Sequence, residues 1–249
     1  MTGSFYDNIA KKFGASGQQG QRSTEYPVGD PEKLFEQKVL ELGRKETIAL
    51  DAGCGSGGFT LRMAPHFQRI IGIDSSGERV TQARAEQQAQ GIGNVQFERC
   101  VAEESGFAPA TFEVVYSRRG PTPYREFHRI LKAGGHILHI GIGEKDAWEL
   151  KRIFGRGQGF WEWKTGALEQ AEEQLRHAGF QVVYGQKFLY DEYYASYHDL
   201  DLFLQSVPIF EDFDSEQDRA RLEAYAATSQ TDKGIHLPRH RFVVVAVKS

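Results

Sequence analysis

The sequence predicts an α/β fold, a doubly wound, mostly parallel seven-stranded sheet with helices on both faces, extra N-terminal helices and an insertion before the last strand. Three observations predict it. Short apolar runs rich in β-branched residues alternate with helix-period segments, a glycine-rich turn follows the first of these runs, and the runs are continuously apolar rather than alternating. Continuous apolar strands are what a sheet needs when helices cover both of its faces, and right-handed crossovers then wind it in both directions.

The chain has 249 residues, with 40% hydrophobic and 26% charged residues and a net charge of −4. That length holds one large domain or two small ones. A mildly acidic balance without a run of lysines or arginines argues against electrostatic capture of nucleic acid. No apolar run has the length of a signal peptide or a bilayer span, which predicts a cytoplasmic protein with no membrane partner. Cys54 and Cys100 lack paired C-x-x-C spacing and read as buried small thiols, with no metal site. Nothing in the sequence sets an oligomeric state.

Taken in order, Phe5, Ile9 and Phe13 lie four apart and predict a short amphipathic helix. The stretch 14–30 is rich in Gly, Gln and Ser and reads as a loop or a lid, with Arg22 and Tyr26 as its handles. Asp30 and Pro31 suit an N-cap and first turn, opening a helix through about Leu42 whose core-facing positions include Leu34, Val39 and Leu42. Strands are predicted at 48–50, 69–74, 95–100, 112–117, 136–142, 180–188 and 242–247, and helices at 78–90, 123–131 and 165–178. Gly134 and Gly135 are expected to end the second of these helices. Residues 189–239 do not read as sheet and form the insertion, which carries Tyr190, Tyr193, Tyr194, Tyr197 and an amphipathic stretch at 200–207.

The turn itself reads D-A-G-C-G-S-G-G from Asp51. Glycines at alternate positions let a backbone turn sharply and approach a ligand closely, and the N–H groups at the next helix start face outward as donors. This pattern alone also fits a nicotinamide dinucleotide, although an acid just before the first glycine is unusual there.

Four motifs together carry a family. L-D-A-G-C-G-S-G, G-I-D-S-S, F-E-V-V-Y-S and R-I-L-K-A-G-G-H-I-L occur in order between Ala49 and Ile142. They resemble the class I S-adenosylmethionine-dependent methyltransferases, and the final strand resembles the closing strand of that Rossmann-like sheet. The resemblance implies S-adenosylmethionine as cofactor, S-adenosylhomocysteine as product, and a single domain. Its parts are N-terminal helices and lid at 1–46, cofactor-binding core at 47–147, substrate-side helices, sixth strand and insertion at 148–239, and last strand at 240–249.

The same resemblance gives roles to residues. Gly53, Gly55 and Gly57 lie beneath the methionine and ribose portions, Asp51 helps hold the ammonium, and Asp74 accepts hydrogen bonds from the ribose hydroxyls, with Ser75 and Ser76 following as helix caps. Where family members place an acid for the adenine amine, this chain has Val101, so adenine recognition falls to Ala102 and Glu103. Ser117 stands at the mouth after the fourth strand. Arg118 and Arg119 follow it and suit a carboxylate or phosphate. Trp161, Tyr194 and Tyr26 are further substrate-side candidates, from aromatic stretches that suit a mobile wall over a small acceptor. His198, His236 and His240 are candidate bases by residue type alone. The implied reaction is methyl transfer to a small molecule by in-line displacement, the alternatives being an RNA- or protein-modifying enzyme or a non-catalytic cofactor-binding regulator.

Overall fold

A computed structural model describes residues 20–161 and 165–249. The expected helix at 5–13 lies outside them. In chain order the elements are β1 (Arg22–Glu25), α1 (Pro31–Leu42), β2 (Ile48–Ala52), α2 (Gly58–Met63), β3 (Arg69–Asp74), α3 (Gly77–Gln90), β4 (Val95–Arg99), β5 (Phe112–Arg118), α4 (Tyr124–Ile130) and β6 (Leu131–Ile142). There follow α5 (Trp148–Phe154), α6 (Ala167–His177), β7 (Phe180–Tyr194), α7 (Tyr197–Ser206), α8 (Arg219–Ser229), β8 (Gln230–Thr231) and β9 (Gly234–Lys248). The strands form one mixed sheet, with parallel pairings β2·β3, β2·β5, β3·β4 and β5·β6 and antiparallel pairings β1·β7 and β8·β9. No described helix is long and apolar enough to cross a membrane.

The chain divides into two compact units, one comprising Pro31–Gly141, Ala167–Gln186 and Phe242–Ser249, the other Met1–Asp30, Ile142–Gly166 and Lys187–Arg241. In the first unit the order β6-β5-β2-β3-β4 is the expected doubly wound one. Its strands are buried along their length, as their apolar runs predict: Leu50, Ile70, Val115 and Leu138 have no exposed surface. On α1, Phe35 and Val39 face the core, four residues apart, while Leu34 and Leu42 are only half-buried, so the buried stripe lies one step round from the predicted one. Ser76, not Ser75, caps α3 by accepting from the Arg79 N–H at 3.2 Å, and Gly91 closes that helix at φ 66°.

Gly134 and Gly135 do not separate helix from strand, because β6 already begins at Leu131. They instead absorb a register jump, Phe112 pairing with Leu131 but Val114 with His136. Cys100 is half-buried, because its backbone leaves the sheet just beyond β4, whereas Cys54 is buried.

The second unit differs most from expectation. Part of the predicted lid is a strand, β1, zipped antiparallel to residues 191–194 of β7. The supposed insertion contributes sheet at both ends, since β7 runs on to Tyr194 and β9 starts at Gly234, with α7 and α8 between them. Helix α5 was also unforeseen. Tyr194, Tyr225, Phe210 and Leu222 centre the unit's own core.

Candidate functional site

In the first unit, β2 ends in Asp51 and Ala52, and the chain turns through Gly53, Gly55 and Gly57 at φ 81°, 56° and 82°. All three angles are left-handed, which glycine adopts without steric cost. Close approach also requires it. A Cβ on Gly57 would stand 2.6 Å from Phe97 Cζ, and one on Gly53 would stand 2.9 Å from Pro121 Cδ. A Cβ on Gly55 would meet only the end of the flexible Arg79 side chain, at 3.5 Å. The turn is pinned to β3 by the Gly53 and Cys54 N–H groups, both donating to the Ile73 carbonyl at 2.8 and 2.9 Å.

Two carboxylates flank the turn. Asp74 at the end of β3 is held by two backbone donors, Gly55 N–H to Oδ2 and Ser76 N–H to Oδ1, each at 2.9 Å. Each oxygen keeps a second lone pair for a further donor. Asp51 accepts from the Thr60 hydroxyl at 2.7 Å. Burial is the largest influence on this carboxyl and pushes its pKa up to about 7, against opposing pulls from Thr60 and Arg118. The Tyr116 hydroxyl is buried beside it without a well-formed hydrogen bond.

Ser117 is fully buried, and its hydroxyl is committed to the Pro121 carbonyl at 2.9 Å. Arg118 and Arg119 grip the Glu32 carboxylate on α1 from both oxygens, with the Arg118 Nη2 at 2.9 Å. The Arg118 guanidinium also stacks 4.5 Å from the centroid of Phe59, whose ring meets Tyr116 edge-on. Past β4, Val101 is 54% exposed and Ala102 is buried in a short 3₁₀ turn with Glu103 on its outer side.

The remaining candidates belong to the second unit. Tyr194 is fully buried and donates to Glu192 at 2.9 Å, so it is part of the core. Tyr26 lies against Tyr190, ring centroids 5.1 Å apart, and Trp161 is 75% exposed beside Trp148 and Phe160. His236 is 2.6 Å from Asp191, and His240 is buried with its Nδ1 accepting from the Lys145 N–H. Thr60 and Tyr116 escaped sequence reading, although the nine-residue step from Asp51 to a hydroxyl on the next helix was visible. Among the described residues no group of His, Cys, Asp and Glu is arranged to hold a metal ion.

The sequence and the fold have counterparts among known proteins. The family description "Methyltransferase domain" matches residues 49–135, the span that contains both carboxylates and the turn. Over that span the chain is similar to methyltransferase domains. The uncharacterized methyltransferase YcgJ of Bacillus subtilis is 32% identical over 104 residues, 39% of this chain and 41% of that protein. The solved structure of YcgJ superposes with a TM-score of 0.64 at 18% identity, covering 87% of this chain and 98% of that one. A malonyl-[acyl-carrier protein] O-methyltransferase of Herminiimonas arsenicoxydans is 29% identical over 170 residues, 65% of this chain and 62% of its own length. A protein of unknown function from Deinococcus radiodurans R1 has the same fold, with a TM-score of 0.68 at 19% identity over 99% of this chain and 100% of that one. The chain thus spans less than two thirds of the length of both of these curated relatives. The matched span places its glycine turn and both acids where ligands bind in α/β sheets, at the carboxyl ends of the strands.

Proposed function

We propose that the chain transfers the methyl group of S-adenosylmethionine to a small-molecule acceptor. The observation that carries this reading is the pair of acids around the open side of the Gly53–Gly57 turn, Asp74 braced by two backbone donors and Asp51 buried with Tyr116.

The residues present fit the cofactor. Asp74 has one acceptor site per oxygen left for a ribose diol, a pairing that a carboxylate suits. An ammonium beside Asp51 would add to the weak countercharge of Arg118, which does not offset the burial of this carboxyl. Gly55 leaves room for a ligand at the turn. When bound, the cofactor supplies a methyl group on a sulfonium, which is already a good leaving group. The chain's own share is then to orient, to exclude water and to hold charge. The malonyl-[acyl-carrier protein] relative supports an acceptor that is a small acid group, and the chain's net charge of −4 speaks against a polyanionic nucleic acid.

Calorimetric titration with S-adenosylmethionine and S-adenosylhomocysteine tests the reading. Both bind, and Asp74→Ala weakens each about ten-fold or more, since two charge-assisted hydrogen bonds are lost. Absence of binding by either compound to folded protein overturns the proposal.

A further inference from the structure

Glu32 lies in the first turn of α1, and its carboxylate is gripped by Arg118, the last residue of β5, and by Arg119, which follows it. Arg118 turns the Nε and Nη2 edge of its guanidinium onto Oε2, at 3.3 and 2.9 Å, while Arg119 donates from Nη1 to Oε1. Two guanidinium groups thus hold one planar acid, an oxygen to each. The grip is open to solvent, since the side chains of Arg118, Glu32 and Arg119 are 27%, 29% and 37% exposed. Ion pairs at such exposure lose much of their attraction to water and salt, so this one is easily exchanged.

The two arginines stand beside the glycine turn. Gly120, next in the chain, packs so closely that a Cβ there would be 2.7 Å from the Ala52 carbonyl oxygen, and Pro121 lies against Gly53. The Arg118 guanidinium rests 4.5 Å from the centroid of Phe59, whose neighbour Thr60 donates its hydroxyl to Asp51. Arg119 is fixed at a left-handed φ of 54°, with its N–H donating to the Ile140 carbonyl at 2.8 Å. That conformation is strained for any residue but glycine, and strain of this kind gathers at ligand sites. The carboxyl ends of parallel strands are also where α/β sheets bind their ligands.

We propose that Glu32 is an internal stand-in: Arg118 and Arg119 form a site for the carboxylate of a ligand, which enters by displacing Glu32. The site is built for that group and already holds one, supplied by the chain itself. Two sources bring a carboxylate here, the amino-acid end of S-adenosylmethionine and an acidic methyl acceptor. Assigning either source rests on the methyltransferase reading above; the displacement of Glu32 does not.

The test titrates acetate and neutral acetamide into the full-length chain in low-salt buffer, followed by the Nε–H NMR signals of Arg118 and Arg119. Wild type, Glu32→Gln, Arg118→Gln and the double variant are compared, with folding of each checked by circular dichroism. Glu32→Gln frees the arginines that the clamp occupies, and binds acetate roughly two- to six-fold tighter than wild type does. Acetamide gains nothing. In the Arg118→Gln background the gain disappears, whereas a mere change in the local field would persist there. The inference is overturned if Glu32→Gln leaves acetate binding unchanged, if acetamide gains as much, or if the gain survives Arg118→Gln.

Repeating the titration with the protein saturated by S-adenosylhomocysteine identifies the source. Exclusion of acetate assigns the site to the cofactor's carboxylate, and simultaneous binding assigns it to the acceptor's. If S-adenosylhomocysteine does not bind at all while acetate shows the Glu32-dependent gain, the methyltransferase reading falls and the carboxylate site stands. Binding of S-adenosylhomocysteine without that gain overturns the carboxylate site alone.

Discussion

Asp51→Asn tests the electrostatics of the turn most directly. The folded protein holds the Asp51 proton up to about pH 7, against an ordinary carboxyl value of 3.8, because the group is fully buried. Between those two values the folded state binds more protons than the unfolded state, so stability falls as pH rises across this window and levels off above it. A shift of three units is worth about 4 kcal/mol, an upper bound because the buried site relaxes. The asparagine keeps an acceptor for the Thr60 hydroxyl and removes the buried charge. In urea denaturation near pH 8 the ligand-free variant gains roughly 1–3 kcal/mol over the wild type, and the gain vanishes near pH 4. Under the proposed function its affinity for S-adenosylmethionine falls in parallel, because an ammonium beside residue 51 would lose that negative charge. A variant less stable than the wild type at the higher pH, or a difference independent of pH, would refute the argument.

Three other outcomes follow from the same geometry. Gly57→Ala combines a left-handed φ of 82° with a Cβ 2.6 Å from Phe97, and costs about 3 kcal/mol or more by thermal unfolding. Asp146→Asn leaves Arg239 and Arg241 without their shared carboxylate, and destabilises by roughly 3–5 kcal/mol. Glu32→Gln cuts the clamp on the half-exposed Arg118 and Arg119, and its cost stays within about 1 kcal/mol and shrinks in high salt.

The first unit was legible because its sequence obeys local rules. The run R-I-I-G-I-D is apolar throughout and closed by an acid, and β3 spans those same residues, Arg69–Asp74. Ser76 and Gly91 bound α3 as caps should. The second unit hides its sheet. The apolar run of the last strand begins only at Phe242, since charged residues are rarely buried in a strand, and only Asp146 and Glu192, distant in sequence, make Arg239 and Arg241 admissible in β9. Tyr190 and Tyr194 were visible as an aromatic cluster, but nothing local says that they stand two steps apart on β7, with Tyr194 in the core. Phe35 likewise takes the place on α1 given to Leu34, because a one-residue error turns a helix by about 100°. At the turn, the two acids were readable as the residues that close two apolar runs; the burial that lifts Asp51 toward neutrality depends on tertiary packing, which no linear pattern encodes.

Cys54 sits inside the glycine turn, and its thiol is held well above its ordinary pKa, first by burial and then by the charges of Asp51 and Asp74. Only a thiolate reacts with alkylating reagents at a useful rate, so the closed turn is chemically silent. Modification at Cys54 therefore counts excursions in which the turn comes apart, and Cys100, half-buried on the same unit, supplies the clock against which they are timed. The chain thus carries a native stopwatch for the opening of its own cradle.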